Sequence, residues 1–196
     1  DAPLSTQVSS PSTPTAMDNA SPSNSNGSSE GFSSPQELVA FINETTQSKT
    51  SIDLSKIYET KTNEQKNMLG KLQSLFNNTV GLRDAINSTF GNGTSSKIAM
   101  LSNSIIPDAI DPHSIVMDGD TKATLPMNPI SVILVKTNRG WLIDFESHAN
   151  AEGFNAQKIA EVEKLSSAFK KVKDQIENGQ IADENQIEFA IMTSMM

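Results

Sequence analysis

Three side chains carry the acid–base chemistry that a catalytic site could use: Asp144, His148 and Tyr58. A carboxylate or an imidazole can take a proton from a substrate when burial moves its pKa toward neutrality, and a phenol can donate a hydrogen bond into a pocket. Each also has a structural interpretation. Asp144 alternates with apolar residues and is predicted to face solvent, His148 is predicted to lie on the surface, and Tyr58 suits a core equally well. They are candidates only if the protein is an enzyme, and we expect that it is not.

A second group of side chains could bind a metal ion. Asp108, Asp111, His113, Asp118 and Asp120 are close in sequence, and oxygen ligands at such spacing can hold calcium. The group lacks the ligand order and the glutamate of a calcium-binding loop, whereas its Asp-Gly-Asp and Asp-Pro sequences are common in turns. We therefore predict turns and a surface histidine at His113, and no metal or cofactor. Motifs for a serine nucleophile, a zinc protease or a phosphate-binding loop are absent from the sequence.

Composition excludes further classes of function. The 196 residues carry a formal net charge of -8, and their 15 lysines and arginines form no run, which argues against nucleic acid as a partner. No apolar stretch approaches the roughly 20 residues of a membrane span. The sequence has no cysteine, so thiolate chemistry and disulfides are excluded.

Residues 1–34 differ in composition from the rest of the chain. They are mainly Ser, Pro, Thr and Asn, which cannot bury enough apolar surface to fold, and we predict a disordered tether. The start at Asp1, without methionine, suggests a processed form. The composition resembles the leader of exported bacterial lipoproteins, whose lipidated cysteine would lie upstream of Asp1. We expect a periplasmic or cell-surface protein; a disordered cytosolic tail is the alternative.

The stretch 130–146 predicts the main β-hairpin of the fold. Its first arm is apolar and β-branched, its turn contains Asn138 and Gly140, and its second arm alternates from Trp141 to Glu146. A first hairpin is predicted within residues 114–125, around an Asp-Gly-Asp turn. Two consecutive hairpins predict one antiparallel sheet of about four strands.

Apolar residues at helical spacing predict helices on both sides of this sheet. The predicted helices are 34–46, 53–58, 63–90, 156–177 and one that begins at Asp183. Unbroken, the third would span about 42 Å, so we expect a kink or break at residues 77–81. The last helix is predicted to pack through Ile187, Ala190, Ile191 and Met195.

Helices followed by a sheet whose last strand reads Gly140-Trp141-Leu142-Ile143-Asp144-Phe145 resemble the nuclear-transport-factor-2-like, or cystatin-like, α+β cone folds. The resemblance covers at most residues 35–148 and implies a bent antiparallel sheet. Its enzymatic members resemble isomerases and dehydratases with an Asp or His in an apolar cone, but their pocket residues have no position-by-position match here. The helical extension 156–196 departs from the usual small domain.

The sequence thus predicts an α+β protein, with N-terminal helices packed on a bent antiparallel sheet and C-terminal helices after it. The predicted domains are the tether 1–34 and a single domain 35–196, with a core at 35–148 and a helical extension at 156–196. We expect a non-catalytic binding or accessory module at a cell envelope, with an unknown protein or a small apolar ligand as partner. The alternatives are an isomerase, dehydratase or hydrolase that uses Asp144 or His148, and a self-associating protein, such as a homodimer, with an apolar patch after Ala156.

Overall fold

A computed structural model describes residues 31–48, 50–91, 110–127 and 129–196. The predicted tether, apart from residues 31–34, and the segment 92–109 lie outside these ranges. The described helices are α1 (Pro35–Ser48), α2 (Asn63–Phe90), α3 (Phe145–Ala151), α4 (Ala156–Glu177) and α5 (Gln186–Met195). The described strands are β1 (Tyr58–Glu59), β2 (Val116–Met117), β3 (Lys122–Met127), β4 (Ile130–Thr137) and β5 (Gly140–Asp144). Short 3-10 turns lie at Leu54–Lys56 and Pro112–Ser114.

The described strands form one mixed sheet in the order β1-β5-β4-β3-β2. Both predicted hairpins are present, and β2 to β5 pair antiparallel with their sequence neighbours. The prediction of about four antiparallel strands was wrong, because β1 adds a fifth strand, parallel to β5. The amide of Ile143 donates to the carbonyl of Ile57 at 2.8 Å, which brings the end of the predicted 53–58 helix into the sheet instead.

The second arm of the main hairpin ends two residues earlier than predicted. The strand stops at Asp144, and Phe145 begins helix α3. Asp144 is the N-cap of that helix, since its Oδ2 accepts a hydrogen bond from the Ser147 amide at 3.2 Å. The Ser147 hydroxyl in turn accepts from the amide of Ile133 in β4, at 3.3 Å. The first turn of α3 therefore contacts β4 at the point where β5 would have paired with it if the strand had continued.

The sheet core lies between the sheet and α1. Helix α1 begins as predicted, because Ser34 Oγ accepts the Glu37 amide at 3.1 Å and the Glu37 carboxylate accepts the Ser33 amide at 2.7 Å. Its buried residues pack with buried sheet residues and with the first half of α2. The main members of this core are Leu38, Val39, Ile42, Leu69, Leu72, Leu125, Val132, Leu134, Trp141 and Ile143. No described residue of α5 belongs to it.

A second, three-helix core lies between the second half of α2, α4 and α5. Its buried members are Leu75, Leu82, Ala85, Ile86, Phe169, Val172, Ile176, Ile181, Ile187 and Ile191. Contacts of Lys71 with Glu163, and of Gly81 with Lys173, show that α2 and α4 run parallel. Helix α2 is assigned as one helix over all 28 residues. Of the kink or break predicted at 77–81, the break was wrong, because the second core gives the far half of α2 its own surface to pack on; a kink there stays a prediction.

The chain before α1 is tied to the turn of the main hairpin. Phe32 forms a β-bridge with Trp141, whose amide donates to the Phe32 carbonyl at 2.8 Å. Gly31 and Gly140 make this approach possible, because a Cβ on either would lie within 2.5 Å of a backbone oxygen.

The protein is α+β, with helices before and after the sheet. No described helix is both long enough and apolar enough to span a membrane.

Candidate functional site

Two of the three predicted acid–base residues meet inside the sheet core. The Tyr58 hydroxyl and His148 Nδ1 are hydrogen-bonded at 2.6 Å. Their rings are nearly parallel, with an interplanar angle of 4° and centroids 5.6 Å apart. Tyr58 is 7% exposed and His148 is 6% exposed, so the predicted surface position of His148 was wrong. Burial follows from α3, which places His148 against Tyr58 just after the strand ends.

The elements around the pair fix its geometry. Tyr58 lies opposite Ile143 in the parallel β1–β5 ladder, and His148 lies one turn into α3. The ring of Phe145 packs edge-on against Tyr58 at 5.7 Å, and the ring of Phe154 packs edge-on against His148 at 6.4 Å. Aromatic rings thus surround the polar pair and keep water away from it.

Burial sets the protonation of both partners. It raises the pKa of the Tyr58 phenol, and the carboxylate of Glu152 raises it further. It lowers the pKa of the His148 imidazole, which Glu152 partly opposes. Both groups are therefore uncharged at neutral pH, and the phenol donates to an unprotonated Nδ1 in the tautomer that carries its proton on Nε2. In this state Tyr58 is a weaker acid, and His148 a weaker base, than in water.

Asp144 does not join this pair. The residue is 9% exposed, so the predicted outward, solvated position was wrong. Besides capping α3, its carboxylate lies 2.7 Å from the ammonium of Lys61, and this contact raises the pKa of Lys61. Glu146 is a second, longer partner of the same ammonium at 3.7 Å. Asp144 therefore holds α3 and the segment before α2 together.

An open groove of about 500 Å³ lies beside β1. Its walls include Tyr58, Glu59, Lys66, Gln73 and Arg139. The Arg139 guanidinium is already bonded, to the carbonyls of Ser55 and Tyr58 at 3.1 Å each and to the Glu59 carboxylate at 2.7 Å. Its role is to fasten the hairpin turn to β1. Nothing in the sequence indicated it, because Arg139 and its partners are about 80 residues apart.

The predicted Asp–His group forms turns where it is described. Asp111 caps the short turn at Pro112–Ser114, since its carboxylate accepts the His113 amide at 2.9 Å. His113 is exposed, as predicted, and Asp108 lies outside the described residues. Within the described ranges, no three acidic or histidine side chains come close enough together to hold a metal ion.

Helix α5 has an apolar face on each side. Ile187 and Ile191 are buried in the three-helix core, as predicted, whereas Met195 is 36% exposed and not packed as predicted. On the opposite side Phe189 is 68% exposed and Met192 is 55% exposed, with Met196 beyond them. We call Phe189, Met192 and Met196 the outer face of α5. The sequence analysis expected an apolar patch after Ala156 only for a self-associating protein and did not single out positions 189, 192 and 196, although they repeat at helical spacing.

Comparisons with protein-family models, curated proteins and solved structures find no match for this chain.

Proposed function

We propose that this protein is a non-catalytic binding or accessory module that contacts another protein through the outer face of α5. The observation that carries the proposal is the exposure of Phe189 and Met192, at 68% and 55%, on a helix that is already anchored by its other side. Contiguous exposed apolar side chains mark interaction surfaces in soluble proteins. Methionine suits such a surface, because its flexible thioether adapts to different partners.

The state of the candidate catalytic residues supports the same proposal. Tyr58 and His148 satisfy each other, and Asp144 is held by Ser147 and Lys61. An acid or base that must act on a substrate needs a reacting group within hydrogen-bond reach, and these groups are occupied by protein partners. The alternative, an isomerase, dehydratase or hydrolase, has support only from the groove wall to which Tyr58 contributes.

A peptide-display selection tests the proposal. Random peptides would be selected on the full chain, and the enriched peptides measured against Phe189→Ser and against Val116→Ser. Val116 is a matched control, because it is 61% exposed but lies in β2, in the other part of the fold. We expect binding to fall at least about tenfold with Phe189→Ser and to stay unchanged with Val116→Ser. Peptides that tolerate Phe189→Ser, or no enrichment at all, would contradict the proposal.

We also propose that the protein is exported and that its fold resembles the cone folds. Export is supported by the composition of residues 1–34. The resemblance is supported by helices that precede a run of antiparallel strands, β2 to β5. Fractionation of cells that produce the chain from its full gene would test export: recovery in the cytosol would contradict it.

A further inference from the structure

We infer that the outer face of α5 binds a cationic amphipathic helix of another protein. This inference rests on the proposed function and adds the chemistry of the partner. The shape of the face, the charge beside it and the net charge of the whole chain support it.

The shape of the outer face favours a helix as partner. Phe189 and Met192 form a short ridge along one side of α5, and Met196 follows directly after the last residue of the helix. A strand would need an open sheet edge to pair with, which a helix does not offer. A second helix can place its own side chains on both sides of such a ridge, as helices do when they pack.

The charge beside the face favours a cationic partner. The charged side chain of α5 is acidic, Glu188. Glu188 is exposed and precedes Met192 by four residues, so the two are neighbours on the helix surface. No described residue forms an ion pair with Glu188. A lysine or arginine beside the apolar stripe of a partner would find this carboxylate at the edge of the contact.

The net charge of the chain argues against a second copy as the occupant. Two copies would each bring a formal charge of -8 and an α5 without a basic residue. Like-charged surfaces disfavour self-association. The same acidity disfavours an anionic membrane surface.

Three designed peptides of about 18 residues, long enough to form a helix, test the inference. They share one leucine face and differ only in the remaining positions, which are lysine, glutamine or glutamate. Binding to the full chain would be measured by fluorescence anisotropy at low and at high salt. We expect the lysine peptide to bind about threefold to tenfold more tightly than the glutamine peptide at low salt, with the difference largely lost near 0.5 M salt. The glutamate peptide should bind most weakly.

Variants separate the contribution of charge from that of the apolar face. Glu188→Lys should reduce the preference for the lysine peptide by at least about threefold. The matched control, Glu44→Lys, makes the same charge change at an exposed position of α1 and should leave it unchanged. Equal affinity of all three peptides, with binding still lost in Phe189→Ser, would overturn the cationic partner and leave the docking face. Binding that Phe189→Ser does not affect would overturn the docking face itself.

Two further measurements test whether the outer face of α5 is covered by a second copy or by another part of the same chain. Sedimentation would detect a second copy as a dimer that dissociates on dilution and disappears in Phe189→Ser. Peroxide footprinting would detect another part of the same chain lying over Met192. An exposed methionine is oxidised to the sulfoxide as peroxide is reduced to water, whereas a covered one reacts slowly. We expect the chain to be monomeric and Met192 to be oxidised as fast as in an unfolded reference peptide. A dimer, or a protected Met192 in the monomer, would overturn the inference.

Discussion

The sheet core and the three-helix core share helix α2 but are built in different ways. In the sheet core, polar side chains join segments distant in sequence: Asn43 bonds both backbone groups of Ile110 at 2.7 and 2.8 Å, and Tyr58 bonds His148. The three-helix core is built mainly from aliphatic side chains around the ring of Phe169, with one long-range polar link, in which the Asn78 amide donates to the carbonyl and hydroxyl of Ser166 at 3.0 and 2.9 Å. A core with directional links fixes one arrangement of its segments, whereas an aliphatic helix interface tolerates adjustment. The first suits a scaffold, and the second suits the display of α5.

The largest expected effect tests whether the two cores fold as one unit. Phe169 is fully buried, and Phe169→Ala should lower the free energy of unfolding by about 3–5 kcal/mol. Since Leu72 of α2 lies in one core and Leu82 in the other, the loss should be shared. Circular dichroism reports all helices, and Trp141, the single tryptophan, reports the sheet core. We expect both signals to shift together. If the unfolding transition reported by Trp141 does not shift while that reported by circular dichroism does, the two cores unfold independently.

The second prediction concerns the chain crossing at the hairpin turn. Gly140 has a φ of 105°, and a Cβ there would lie 2.5 Å from the Phe32 carbonyl oxygen. Gly140→Ala should therefore cost about 1–3 kcal/mol of stability. Gly179 at the end of α4 is the matched control, with a φ of 69° but open space around it. Urea denaturation should show a smaller loss for Gly179→Ala. Equal losses would mean that the crossing does not stabilise the sheet core.

The third prediction compares a long-range polar link with a local one. Tyr58→Phe leaves the buried His148 Nδ1 without its partner and should cost about 1–2 kcal/mol. Thr79 is equally buried, but its hydroxyl donates only to the Leu75 carbonyl one turn earlier in α2. Thr79→Val should therefore change stability by less than about 0.5 kcal/mol. Similar losses from both, measured by urea denaturation, would remove the distinction drawn between the cores.

Sequence reasoning found most elements of both cores because their signals are local. The bounds of α2 and α4 follow from apolar spacing together with the caps Thr62 and Asn155, which bond the amides of Gln65 and Lys158. Two elements were missed, for different reasons. Strand β1 is two residues long, too short to show alternation, and exists because β5 lies beside it. Helix α3 was read as strand because Phe145 continues the alternation of β5.

The candidate site was predicted in its residues but not in their contacts. Tyr58 and His148 were chosen for their chemistry, and their pairing depends on β1 and α3, the two missed elements. For Asp144 a local signal existed, since an Asp three residues before Ser147 can cap a helix. Side-chain types thus indicate what chemistry is available, whereas tertiary contacts decide whether the groups are free to perform it.

The fourth prediction uses the pH dependence of the buried pair. Burial holds the folded-state pKa of His148 below its ordinary value of 6.5, so the unfolded chain takes up the proton first as pH falls. The stability due to a neutral His148 is complete above pH 6.5 and is lost below it, by up to about 1.4 kcal/mol per pH unit, until the folded pKa is reached. Urea denaturation at several pH values from 7.5 to 5 should show a steeper decline for the wild type than for His148→Gln. The exposed His113 is common to both proteins and cancels. Parallel declines would contradict the prediction.

The smallest expected effect belongs to Phe189, and it contrasts this exposed residue of α5 with the buried Ile187. Phe189→Ser removes a large apolar side chain that is 68% exposed and should change stability by less than about 0.5 kcal/mol. Ile187, two residues earlier, is 3% exposed, and Ile187→Ala should cost about 2–5 kcal/mol. A substantial loss of stability in Phe189→Ser would mean that its ring packs against the chain and is not available to a partner. A negligible loss means that the Phe189 ring is not needed for folding and is free to contact a partner.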